Sequence, residues 1–228
     1  MVDDQICALI PAFNAESSLG EVIDRARKII QRVIVVSDGS TDHTSAVARS
    51  RGVELITLPS NHGKGYALRL GFSHALANGC RAIVTLDADG QHDPADIPNF
   101  LRAHDQDSEA VLIGSRLAQA EQFPRQRYYS NQAAVFFISK ALGQPLEDTQ
   151  CGFRLYPSRV LRQIVLTTSR FQTETEVLLR AAHKGIPLRS VPVKNIYVNW
   201  NSPQSNFRPV VDTFLICMVV LQDYLGIL

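Results

Sequence analysis

The sequence predicts an α/β fold: a mostly parallel sheet flanked by helices, with a C-terminal helical extension. Three observations predict it. Five short aliphatic runs recur between residues 6 and 114, with amphipathic stretches between them. Two of those runs, Val33-Ile34-Val35-Val36 and Ala82-Ile83-Val84-Thr85-Leu86, are continuously apolar, as strands covered on both faces must be. The residues able to do chemistry cluster directly after the runs, where ligands sit in an open α/β sheet.

In chain order, Ile6–Ile10 reads as the first strand. A helix follows at about 18–30, with Ser17 or Ser18 available as its cap. Val33–Ser37 is the second strand and 43–51 the second helix, with Ser40 or Thr41 as its cap. Val53–Leu58 is the third strand, and 64–78 a helix that Gly79 can close. Ala82–Leu86, a helix at 94–104 and a strand at Ala110–Gly114 complete the repeat. Strand–helix–strand alternation implies right-handed crossovers. The pattern then changes. Residues 115–127 are polar and bear arginines, and 128–142 reads as a helix ending at the turn Gly143-Gln144-Pro145. A strand at 151–157, a helix at 173–184, a strand at 188–194 and a loop at 195–206 follow. The tail, 207–226, is an apolar helix with few charges. With no linker or repeat in view, residues 1–206 form one domain and 207–228 a C-terminal apolar or amphipathic helix.

Composition bounds the function. The 228 residues are 45% hydrophobic and 20% charged, ordinary for a globular protein with a well-buried core. A net charge of +1 offers no footprint for nucleic acid. Cys7, Cys80, Cys151 and Cys217 form no C-x-x-C pair and read as reduced core residues of a cytoplasmic protein. The N-terminus has no basic leader, and no apolar stretch reaches the roughly 20 residues that span a bilayer.

The chemistry concentrates in a few motifs. Asp87-Ala88-Asp89-Gly90-Gln91-His92 ends the fourth strand with two carboxylates one residue apart and a side-chain amide close behind. Adjacent acids repel unless a cation sits between them, and hard oxygen donors suit Mg²⁺ or Mn²⁺. Asp38-Gly39-Ser40-Thr41-Asp42 serves as a turn and helix cap, but that role does not require Asp38, whose carboxylate can accept a nucleobase N–H. Asn61-His62-Gly63-Lys64-Gly65 opens a helix with small residues and a point charge, a place where an anion can approach backbone. Neither a Walker A spacing nor a G-x-G-x-x-G is present, which disfavours a P-loop and a nicotinamide dinucleotide site. Arg154, Arg159, Arg162 and Arg170 fall in a segment, 149–173, with no acid, and Arg116 follows a strand directly; they offer a face for an anionic acceptor or lipid headgroups. Thr173 and Glu176 fit a capping box, leaving Glu174 as the site candidate of that pair. The six histidines show no metal-ligand spacing and read mostly as surface residues.

Together, Ile10-Pro11-Ala12-Phe13-Asn14-Ala15-Glu16, Val35-Val36-Ser37-Asp38-Gly39-Ser40-Thr41-Asp42, Asn61-His62-Gly63-Lys64-Gly65 and Asp87-Ala88-Asp89-Gly90-Gln91-His92 resemble the family 2 glycosyltransferases, with their Rossmann-like GT-A fold and DxD motif. Gly114-Ser115-Arg116 and Asp148-Thr149-Gln150-Cys151-Gly152-Phe153-Arg154 resemble the dolichyl- or polyprenyl-phosphate sugar synthase branch. The resemblance covers about residues 6–194. It implies inverting transfer from a nucleotide-diphosphate sugar to a polyprenyl phosphate or other lipid-linked acceptor. Pro11, Ala12, Phe13 and Glu16 would line the nucleoside pocket, Asp38 would meet the base, and Gly63, Lys64, Asp87 and Ala88 would lie along the nucleotide sugar. Asp87, Asp89 and Gln91 would hold Mg²⁺ or Mn²⁺, Asp89 acting in catalysis. Arg116 would face the acceptor phosphate, and Asp148 would serve as base or orienting group. In this branch an Arg and a Ser-Lys pair usually follow the last strand; here the region reads Asn199–Pro209, where Arg208 is the substitute at hand. The expected location is the cytoplasm or the cytoplasmic face of a membrane, with the helix at 207–226 contacting lipid, the core or a second copy. The rival readings are a nucleotidyltransferase, which would want a glycine-rich, arginine-bearing loop in place of Pro11–Glu16, and a non-catalytic nucleotide-sugar-binding protein at a membrane surface.

Overall fold

A computed structural model describes residues 5–117, 125–194 and 208–227. The strands are β1 (Ile6–Ala12), β2 (Arg32–Asp38), β3 (Glu54–Leu58), β4 (Ala82–Thr85), β5 (Val111–Ser115), β6 (Arg154–Pro157) and β7 (Leu188–Pro192). The helices are α1 (Leu19–Arg27), α2 (Thr44–Ser50), α3 (Lys64–Ala77), α4 (Ile97–Gln106), α5 (Arg125–Leu142), α6 (Ser158–Leu161), α7 (Gln172–His183) and α8 (Pro209–Tyr224). Among the described residues the strands form one sheet in the order β3-β2-β1-β4-β6-β5-β7. All pairs are parallel except those of β6, which runs antiparallel to both β4 and β5. The chain winds outward from β1 in one direction through β2 and β3, and β4 pairs on the other side of β1. That reversal opens a crevice beyond the carboxyl ends of β1 and β4.

Both sheet faces are covered, which is why the central runs are apolar without alternation. One core joins Leu9, Val36 and Ile83 to Phe72 of α3 and Leu178 of α7, and extends to Val219 of α8. The other joins Ile10, Val35 and Val84 to Ile23 of α1 and Phe100 of α4. Cys7, Cys80 and Cys151 are buried thiols, as expected, whereas Cys217 is exposed.

Four local expectations need correction. Ser18 occupies the position before α1 but makes no cap bond; its hydroxyl donates to the Ala88 carbonyl (2.6 Å), tying α1 to the loop after β4. Neither Ser40 nor Thr41 caps α2. The Asp42 carboxylate accepts the Thr44 N–H (2.9 Å), because the Ser40 hydroxyl is already engaged with Ser37 and the Asn14 amide. Thr173 and Glu176 form no capping box, since α7 begins a residue earlier, at Gln172. The arginines of 149–173 form no free basic face. Arg154 is fully buried, donating to the carbonyls of Thr149, Cys151 and Glu174, while Arg159 pairs with Glu109 and Arg170 with Asp212. The expected loop at 195–206 lies outside the described residues.

Candidate functional site

A cleft of about 340 Å³ lies at the β1–β4 crevice. Pro11, Ala12 and Phe13 line it from the end of β1, Asp38 from β2, and Gly63 and Lys64 from the start of α3. Asp87, Ala88 and Asp89 close it beyond β4. Nine of the expected site residues therefore meet in one cavity. Glu16, Gln91, Arg116 and Asp148 are not among its lining residues. Sequence reasoning missed Asn14, Ala15, Ser17, Ser18, Asn61, Ala67 and Phe171 as wall residues, placed Arg170 only on a basic face, and placed Arg208 as the substitute for the arginine after the last strand.

The loops around the cleft are fixed by side chain to backbone bonds. Asn14 adopts a left-handed backbone (φ 50°), and its Oδ1 accepts the Thr41 N–H (2.8 Å). Glu16, expected in the nucleoside pocket, instead accepts the His43 N–H (2.8 Å) and pins the first loop to α2. Asp38 spends one carboxylate oxygen on the His62 N–H and the other on the Gly63 N–H, both 2.8 Å, which orients the turn into α3. Each oxygen keeps a second lone pair for a ligand. A side chain at Gly65 would meet Thr173 Oγ1 at 1.8 Å and the Arg170 carbonyl at 2.5 Å, so this glycine lets α3 press against the segment before α7.

That segment is held by Glu176, a fully buried carboxylate. It accepts the N–H and hydroxyl groups of Thr167 and Thr168 and the Arg180 guanidinium, at 2.7–3.0 Å. Burial raises its pKa, but these donors outweigh burial and the net shift is downward. A carboxylate depressed on folding contributes stability that is present above its unfolded pKa and is lost as pH falls through the folded value. Glu176→Gln should therefore cost about 2–3 kcal/mol at neutral pH, and chemical denaturation should show a shallower loss of stability below about pH 4 than in the wild type.

At the centre, Lys64 Nζ lies 2.6 Å from Asp87 Oδ1 and 3.1 Å from Glu174 Oε2. Burial opposes its charge, but the two carboxylates prevail and hold it protonated. Burial pushes Asp87 up, yet the Lys64 charge beside it brings it down to about 2. Asp89 behaves oppositely: burial and the Asp87 charge push it up to about 6. Its one carboxylate bond is from the Gln91 N–H (3.0 Å), and among the described residues no basic group is within ion-pairing distance. His92, expected at the surface, is buried; its Nδ1 accepts the Asp87 N–H (3.2 Å), and its ring stacks on Phe153. Burial lowers it to about 4, so it stays neutral.

This donor set fits a hard divalent cation. One carboxylate is balanced by lysine, and its half-buried neighbour carries repulsion that a bound cation would relieve. Among the described residues no three His, Cys, Asp or Glu side chains converge on one point. Mg²⁺ is commonly held in this manner, by one or two carboxylates, with waters and ligand phosphates completing the shell.

Behind this centre stands the 148–154 loop. Asp148 is 2% exposed and forms a two-bond pair with Arg116 (2.7 and 3.1 Å). It also accepts the N–H groups of Gln150 and Cys151. Its oxygens are committed to these bonds, and it stands outside the cleft lining, the placement of an orienting group. Arg116 correspondingly faces Asp148. A Cβ at Gly152 would lie 2.8 Å from both Asp87 Oδ2 and Lys64 Nζ. Both are ends of flexible side chains, so Gly152→Ala should fold normally but displace the Asp87–Lys64 pair. We expect kcat to fall about tenfold or more with an unchanged melting temperature, as read by steady-state kinetics and calorimetry.

Comparison with known proteins agrees with this geometry. The family profile described as Glycosyl transferase family 2 matches residues 7–166. An uncharacterised protein of Methanocaldococcus jannaschii is 31% identical over 204 residues, covering 87% of this chain and 84% of its own. The UDP-N-acetylglucosamine–dolichyl-phosphate N-acetylglucosaminyltransferase of Methanococcus voltae is 28% identical over 224 residues, covering 88% and 89%. In three dimensions, glucosyl-3-phosphoglycerate synthase from Mycobacterium tuberculosis superposes with a TM-score of 0.71 at 18% identity, over 96% of this chain and 79% of that one. At that identity the likeness speaks for the fold.

Proposed function

The chain belongs to glycosyl transferase family 2, and from that premise we propose that it moves a sugar, with inversion, from a nucleotide-diphosphate sugar to a lipid-linked phosphate. The observation that carries the reading is the half-buried Asp89, without an ion-pair partner among the described residues, beside the Lys64–Asp87 pair at the mouth of the β1–β4 crevice. Asp87 and Asp89 would hold Mg²⁺ or Mn²⁺, which when bound neutralises a departing diphosphate. The M. tuberculosis neighbour was solved with Mn²⁺ or Mg²⁺ and UDP, and the M. voltae relative is named for a dolichyl-phosphate acceptor; both support the reading.

The protein's own residues divide the remaining work. Pro11 and Phe13 offer apolar surface to a nucleoside, and the carboxylate of Asp38 keeps lone pairs toward the base. Lys64, positioned by Asp87 and Glu174, supplies preorganised positive charge on the leaving group's side. Arg208, also on the cleft wall, is a cation placed to meet an acceptor phosphate, beside Arg170, which Asp212 holds. A phosphate acceptor is already ionised near neutral pH and needs no strong base, which accords with Asp148 orienting the loop behind Gly152. Gln91 is assigned to the cation's surroundings on its adjacency to Asp89.

The test is a turnover screen of several nucleotide sugars against a short polyprenyl phosphate, with and without Mn²⁺. Metal-dependent transfer of sugar is the expected result. Transfer of a nucleotidyl group, or tight nucleotide-sugar binding in calorimetry without turnover on any acceptor, would overturn it in favour of a nucleotidyltransferase or a binding protein.

A further inference from the structure

Helix α8 is inside out. Its two acids face the protein: Asp212 is fully buried, paired with Arg170 (2.9 Å) and accepting the Arg208 N–H (2.7 Å), and Asp223 lies 3.2 Å from His183. Its exposed side is apolar. Val210, Phe214, Cys217, Leu221 and Tyr224 recur at spacings of four, three, four and three, forming one stripe along a 16-residue helix about 24 Å long. Val210 is 83% exposed, Phe214 61% and Tyr224 86%. No exposed residue of the helix is charged. An apolar strip of this length in water marks a contact surface.

We propose that the outer face of α8 is where the protein lies on a lipid bilayer. Three features point to lipid. The face holds no acid that contact with headgroups would dehydrate or repel, since both are turned inward, Asp212 paired with Arg170 and Asp223 beside His183. It carries aromatic side chains toward each end, Phe214 and Tyr224, suited to the headgroup boundary. Its helix starts at the cleft: Arg208, immediately before α8, lines the cavity. Among the described residues no helix is long and apolar enough to cross a membrane, so α8 lies along the surface. The choice of bilayer over a second copy rests on the proposed lipid-linked acceptor, whose phosphate would enter the cleft beside Arg208 while its chain stays in the membrane.

Cys217 gives a direct test, because Cys7, Cys80 and Cys151 are buried. The full chain labelled there with bimane is titrated with phosphatidylcholine–phosphatidylglycerol vesicles, with and without doxyl-labelled lipid. We expect a blue shift and quenching by the doxyl groups. Phe214→Glu/Leu221→Glu should raise the half-saturating lipid concentration about tenfold or more, while transfer to a water-soluble, short-chain prenyl phosphate stays within about twofold. Failure of the wild type to respond to vesicles, or equal binding by the variant, would overturn the proposal. So would a wild-type dimer in analytical ultracentrifugation that the variant converts to monomer without any lipid response. Vesicle binding that depends on Phe214 and Leu221, in a protein that transfers no sugar, would uphold this surface and refute only the proposed function.

Discussion

Asp89→Asn is expected to abolish sugar transfer, lowering kcat by about 10³-fold or more, and to leave the fold intact. The two halves of this prediction have separate physical grounds. Asp89 accepts a single backbone hydrogen bond, from Gln91, which an asparagine oxygen can still accept. Its charge is disfavoured by burial and by Asp87, so removing that charge relieves repulsion, and the melting temperature should hold or rise. The same repulsion is what a divalent cation would relieve, so the substitution should also weaken Mn²⁺ binding in calorimetry. Asp87→Asn should differ, because it strips Lys64 of its nearer carboxylate and leaves a buried ammonium with Glu174 alone. A fully active Asp89→Asn enzyme would be fatal to the metal assignment.

Asp148→Ala should produce the largest loss of stability. It leaves the Arg116 guanidinium, 11% exposed, without its carboxylate and removes the acceptor for two loop N–H groups. Deleting one member of a buried ion pair costs about 3–5 kcal/mol. In a chain of 228 residues this is roughly a 10 °C fall in Tm. Transfer should fall too, because the loop carrying Gly152 backs the Asp87–Lys64 pair. The discriminating measurement is the pH dependence of kcat with a phosphate acceptor in the wild type and in Asp148→Asn. An orienting role predicts the same profile at lower amplitude, whereas loss of an acidic limb in the variant would restore Asp148 as a base.

Much of the site was legible in the chain because its parts are local. Asp87, Ala88 and Asp89 follow an apolar strand directly, Gly63 and Lys64 open a helix, and Pro11 to Phe13 end the first strand. Parallel topology then brings all these strand ends to one side. The illegible contacts were those made across sequence. Glu174 reaches Lys64 from 110 residues away, and Arg116 meets Asp148 from 32. Arg154 looked like surface charge, but its place on β6 between β4 and β5 buries it completely, with carbonyls taking the part of counter-charges. His92 looked solvated because it follows a polar turn, but the turn folds back and stacks it on Phe153.

The order of strands and helices, the apolar core of the central sheet and the positions of the carboxylates beyond β4 are properties of the sequence itself, since periodicity and turn chemistry act over a few residues. Tertiary structure alone decided the antiparallel course of β6, the pairing of Lys64 with Asp87 and not with Asp89, and the outward turn of α8's apolar side. Each of these depends on which distant group arrives at a given point, and burial and charge pairing are settled only there.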